Sequence, residues 1–119
     1  MRTLSSLFSR AEKEVDPFTL SAVGYRARFM STGAPHQLVD VRSPAEFAES
    51  HLASAQNIPL PDLANRLKLI PQDQPVMLYC RSGNRSGIAL QMLRAAGFEN
   101  VYNIGGLSDL AKQGVPVSA

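Results

Sequence analysis

Short apolar runs alternate with stripes of helical period along this chain, and that alternation leaves few folds open to it. Val76 to Tyr79 predicts the strongest strand. Ser86 to Ala96 then predicts the strongest helix: Ile88, Ala89, Met92, Leu93 and Ala96 fall on one stripe, and Gly97 suits the position just past its end. The same strand-then-helix rhythm runs on both sides. Gln37 to Val41 predicts a buried strand, and Ser43-Pro44-Ala45-Glu46 is a capping box that opens a brief helix through Phe47 and Ala48. Ala55 to Ile58, ended by Pro59, predicts a short strand, and Leu63, Leu67 and Ile70 mark a helix between Pro61 and Pro71. Val101 to Ile104 predicts a last strand, followed by a short helix through Leu107, Leu110 and Ala111. Upstream, Asp16-Pro17 reads as a cap with proline in the first turn. Phe18, Val23, Ala27 and Met30 then recur at helical spacing until Gly33 and Pro35. Strands that alternate with helices define an α/β fold with a central parallel sheet and helices on both faces.

A chain of 119 residues has room for one hydrophobic core, so residues 16–119 are expected to form a single domain and residues 1–15 an N-terminal extension, frayed or helical. The composition is globular, with 45% hydrophobic and 18% charged residues. A net charge of +2, with arginines spread out and not interleaved with aromatics, argues against a nucleic-acid partner. No apolar stretch approaches the roughly 20 residues of a membrane span. The lone cysteine excludes an intrachain disulfide, and with His36 and His51 it gives no metal-ligand spacing, so no metal cofactor is expected. A single thiol that must stay reduced fits a cytoplasmic setting.

The chemistry is expected where the best strand meets the best helix, at Cys80-Arg81-Ser82-Gly83-Asn84-Arg85-Ser86. Ligands of parallel sheets bind beyond the carboxyl ends of the strands, and Cys80 falls at one such end. A tight turn opening a helix points unpaired N–H groups and a positive dipole end at one spot. Gly83 permits a positive φ there and Asn84 tolerates it. Arg81 and Arg85 are two permanent cations suited to a sulfonate-like oxyanion, and from Gln74 through Phe98 there are three arginines and no carboxylate. Together these features favour the thiolate, the attacking form of cysteine. Ser82 and Ser86 are expected to matter more through their backbones than through their hydroxyls. Asp40 and Arg42, ending a neighbouring strand, are expected to support the loop or define its rim. His51 reads as a structural hydrogen-bonder.

Tyr79 to Ser86 resembles the active-site loop of the rhodanese family. Asp40-Val41-Arg42, Glu46-Phe47 and His51-Leu52 through Asn57-Ile58-Pro59 resemble that family's upstream motif, and Asn103-Ile104-Gly105-Gly106-Leu107 its closing segment. Ser50 and Ser54 stand where the family pattern usually has glycines, and Ser108-Asp109-Leu110 replaces a stretch that often holds a tryptophan; both affect packing more than chemistry. The resemblance implies a single rhodanese-like domain with Cys80 as a sulfur carrier. The implied reaction is a sulfurtransfer: a small donor, thiosulfate or a persulfide, loads Cys80, and a thiol, a protein cysteine or cyanide unloads it. A non-catalytic persulfide carrier or sensor would use the same residues. A thiol-dependent phosphatase or arsenate reductase uses Cys-x5-Arg instead; here Arg85 comes one position too early, and Tyr79 replaces the histidine common before phosphatase cysteines.

Overall fold

The computed structural model describes residues 17–119. Among the described residues, β1 (Gln37–Asp40), β3 (Gln56–Asn57), β4 (Val76–Cys80) and β5 (Val101–Gly106) form one sheet in the order β3-β1-β4-β5. Every pairing in it is parallel. β2 (His51–Leu52) and β6 (Val117–Ser118) form a separate antiparallel pair. The helices are α1 (Ala22–Tyr25), α2 (Pro44–Glu49), α3 (Asn84–Ala95) and α4 (Leu107–Lys112).

Alternation along the strands divides the core in two. Val39, Val76, Leu78, Cys80 and Val101 face α3 and the Leu60–Asn65 segment. Met77, Tyr79 and Ile104 face the other way, toward Tyr25, Phe29 and Leu110. Period-2 side chains on a sheet covered on both faces produce this division, and it puts Cys80 on the α3 side. The α/β architecture with a central parallel sheet is therefore the one expected.

The differences lie at element ends. The expected cap at Asp16 lies outside the described residues, as do residues 1–15. No helix starts at Pro17: Thr19 bridges to Asn103, the Leu20 N–H donates to the Asn103 carbonyl at 2.9 Å, and the Asn103 N–H donates to the Phe18 carbonyl at 2.8 Å. The open edge of β5 supplies backbone partners that override the helical spacing there. The helix begins instead at Ser21, whose hydroxyl accepts the Gly24 N–H. It then widens into a π-turn over Arg26–Met30, closed by the Ser31 N–H on the Arg26 carbonyl. The expected helix through Leu63 and Ile70 is two 3₁₀ segments, Leu60–Asn65 and Leu67–Leu69, which still bury Leu63 and Ile70. The strand at Ala55 to Ile58 shortens to Gln56–Asn57. α3 opens at Asn84, two residues before the expected start.

Candidate active site

The last residue of β4 is Cys80, and the chain turns back over it through Gly83 at φ 100°, a left-handed conformation that favours glycine. Gly83 also caps α3, with its carbonyl accepting the Gly87 N–H at 3.0 Å. The turn aims donors at the sulfur. The N–H of Gly83 lies 3.0 Å from Sγ and that of Ser86 3.4 Å, and the Ser82 N–H acts on it as well. The Ser86 hydroxyl, expected to matter less than its backbone, is buried and also lies 3.4 Å from Sγ. Burial pushes the Cys80 thiol up, but the Ser86 hydroxyl and the Ser86, Ser82 and Gly83 N–H groups outweigh it and leave the thiol below its ordinary value. Cys80 is 1% exposed; Arg81, Ser82 and Asn84 form the exposed rim above it.

The two arginines are not free cations. Arg85 makes a bidentate pair with Glu46, Nη1 to Oε1 at 2.8 Å and Nη2 to Oε2 at 2.9 Å. Arg81 makes a looser contact, Nε to Oε2 at 3.3 Å, with its side chain 70% exposed. One carboxylate between two guanidinium groups leaves a single net positive charge at the loop. Arg85 above all, then the Ser43 N–H of the capping box, holds the Glu46 carboxyl far below the usual carboxylate range. Arg81 also lines a cleft of about 380 Å³ with Arg42, Glu49, Ser50, Leu107 and Val117 among others. A larger cleft, about 490 Å³, lies by Tyr25 and His36 at the amino end of β1, the end opposite to the thiol.

Asp40 and Arg42 are brought together under the loop's neighbourhood, not into it. Asp40 is 0% and Arg42 3% exposed. Nη2 of Arg42 donates to Asp40 Oδ2 at 2.7 Å and to the Ser50 carbonyl at 2.6 Å, while Asn57 Nδ2 donates to the carbonyls of both residues at 3.0 Å. This network ties β1 and β3 to the chain leaving α2. Nearby, the Tyr79 hydroxyl accepts the Leu52 N–H at 2.9 Å. His51 stacks on Phe47 at 3.7 Å between ring centroids and donates from Nδ1 to the Phe47 carbonyl.

Three residues at the site carried no chemical expectation. Glu46 was legible as a helix cap and as part of the upstream motif, without a chemical role, although arginines in a stretch without a carboxylate signal a partner from elsewhere. Asn103, on β5, donates from Nδ2 to the Gly83 carbonyl at 3.1 Å and accepts the Ser86 hydroxyl at 2.7 Å. Gly106 lies under the loop, where an added Cβ would run into the Arg81 carbonyl.

A family model for the rhodanese-like domain matches residues 25–113, and the chain belongs to that family. Among its relatives are sulfurtransferases. One, from Allochromatium vinosum, is 40% identical over 83 residues, which span 69% of this chain and 78% of that protein. Another is the thiosulfate sulfurtransferase PspE of Escherichia coli, 36% identical over 80 residues, or 66% and 77% of the two chains. The rhodanese-like domain of the Anabaena Alr3790 protein superimposes with a TM-score of 0.75 at 26% identity, over 88% of this chain and 80% of that one. Among the described residues no helix is long and apolar enough to cross a membrane. No group of three or more His, Cys, Asp or Glu side chains among them gathers to hold a metal ion.

Proposed function

We propose that this protein is a thiosulfate sulfurtransferase that moves one sulfane sulfur through a Cys80 persulfide. The observation that carries the reading is the convergence of the Ser86 hydroxyl and of the Ser86 and Gly83 N–H groups on the Cys80 sulfur; with the Ser82 N–H they lower the thiol against the effect of burial. In the first step the Cys80 thiolate attacks the outer sulfur of thiosulfate. A new S–S bond forms, the sulfur–sulfur bond of the donor breaks, and sulfite leaves with its electron pair. The loop N–H groups stabilise the persulfide anion. In the second step an acceptor thiolate, from a small thiol or a protein cysteine, attacks the outer sulfur and releases the Cys80 thiolate. Cyanide does the same and leaves as thiocyanate. A persulfide donor loads Cys80 likewise, with a thiolate leaving in place of sulfite.

Neither step calls on a metal, an organic cofactor or a nucleic acid, and the setting is cytoplasmic. Arg81 meets the donor's oxyanion, because its exposed guanidinium is the one held least tightly. Ser82, Gly83 and Asn84 supply the turn, Arg85 anchors it through Glu46, and Asp40 with Arg42 supports the strand end. The loop from Cys80 to Arg85 is too short to surround a tetrahedral phosphate. Thiocyanate production from thiosulfate and cyanide tests the proposal: wild-type protein turns over and Cys80→Ser does not. Cys80-dependent hydrolysis of an aryl phosphate at a comparable rate would replace this reading with a phosphatase.

A further inference from the structure

We propose that Asn103 is a positioning residue for the Cys80 sulfur: from β5 it pins the cradle and keeps the Ser86 hydroxyl ready to turn onto that sulfur. The proposal rests on Cys80 being the nucleophile and adds a residue from a different strand.

Asn103 is 8% exposed and both ends of its amide are committed. Nδ2 donates to the Gly83 carbonyl at 3.1 Å, while Oδ1 accepts the Ser86 hydroxyl at 2.7 Å and the Gly105 N–H at 3.0 Å. The partners force this orientation, because a flipped amide would face an NH2 to the Gly105 N–H and an oxygen to the Gly83 carbonyl. The strand register shifts between the pairs Leu78–Asn103 and Cys80–Gly106, just past Asn103, where Gly105 sits at φ 94°. Holding the Gly83 carbonyl fixes the residue whose own N–H lies closest to the sulfur, at 3.0 Å.

The Ser86 hydroxyl has one proton and two acceptors, Asn103 Oδ1 at 2.7 Å and Cys80 Sγ at 3.4 Å. With a neutral thiol the shorter bond holds the proton. Once the sulfur is a thiolate, the charge-assisted bond draws the hydroxyl across. Asn103 Oδ1 keeps the Gly105 N–H, so the turn leaves no buried acceptor without a partner. The charged side chains around the thiol are already paired, Arg85 and Arg81 with Glu46 and Arg42 with Asp40. The ionisable group of β5 itself, Tyr102, packs in the opposite core cluster.

Asn103→Asp removes the donor to Gly83 and sets a carboxylate to hold the Ser86 proton. The alkylation-rate midpoint of Cys80 is then expected to rise by about one to two pH units, and by clearly less when Ser86→Ala is also present. Charge repulsion acts in both backgrounds and the hydroxyl in one, so an equal rise in the two would overturn the proposal. A loss of stability with an unmoved midpoint in folded Asn103→Asp would overturn the proposal. If that variant does not fold, wild-type protein decides: the Asn103 side-chain amide resonances should titrate with the Cys80 midpoint, and not in Cys80→Ser. Resonances that stay fixed through the thiol titration would overturn it too. These readouts score ionisation, not turnover, so failed sulfur transfer with shifted midpoints would refute the proposed function and leave this inference standing.

Discussion

Cys80 sits at a balance between burial, which favours the thiol, and four hydrogen-bond donors, which favour the thiolate; the donors win. Alkylation by iodoacetamide should therefore proceed at pH values where an ordinary thiol, with a pKa near ~8.5, is mostly protonated. An unshifted pH-rate profile would count against the cradle as an activating device. Residue-scale geometry also separates the two arginines. Arg81→Ala should weaken use of thiosulfate by about 1–3 kcal/mol of transition-state stabilisation, as for a lost charge-assisted contact, with stability nearly unchanged. Arg85→Ala should instead loosen the loop whatever the donor, because its bidentate bond to Glu46 anchors the first turn of α3. Kinetics with thiosulfate and with a persulfide donor that carries no sulfonate or other oxyanion check this. Equal losses with both donors in Arg81→Ala would remove it from the oxyanion site.

At the scale of elements, the cradle depends on what α2 and β5 bring to it. Glu46 completes the capping box of α2 and receives both arginines; Glu46→Gln can keep the box, so it should cost about 1 kcal/mol at neutral pH, the loss of partly exposed ion pairs. Because its folded-state pKa is depressed, this stability is present above the unfolded value near ~4.3 and is lost as pH falls toward the folded one. Denaturation of wild type and variant across acidic pH should show their difference shrinking as pH drops. Gly106→Ala should displace the loop, since the new Cβ meets the Arg81 carbonyl; a crystal structure with an unmoved loop and full activity would contradict this. The strand-helix order and the Cys80–Ser86 turn were legible because periodicity and turn chemistry are local. The Glu46 and Asn103 contacts were not, because they join residues 39 and 20 positions apart. The start of α1 was misread for a related reason: pairing with β5, distant in sequence, captured Thr19 and Leu20.

For the whole molecule, the buried Asp40–Arg42 pair joins several separate parts of the chain. Arg42 reaches the Ser50 carbonyl, Asn57 bonds both main-chain carbonyls, and the site's loop leaves the adjacent strand. Arg42→Ala should destabilise by about 3–5 kcal/mol in chemical denaturation, because it strands a buried carboxylate. A cost below about 1 kcal/mol would mean that water reaches Asp40. Everything assembled by this scaffold is proposed to serve one event, the arrival of a sulfur atom at Cys80. The intact mass of the protein after incubation with thiosulfate measures that event directly. The account predicts a gain of one sulfur atom, reversed by cyanide and absent in Cys80→Ser. No gain in the folded wild type, or a gain that persists in Cys80→Ser, would contradict it.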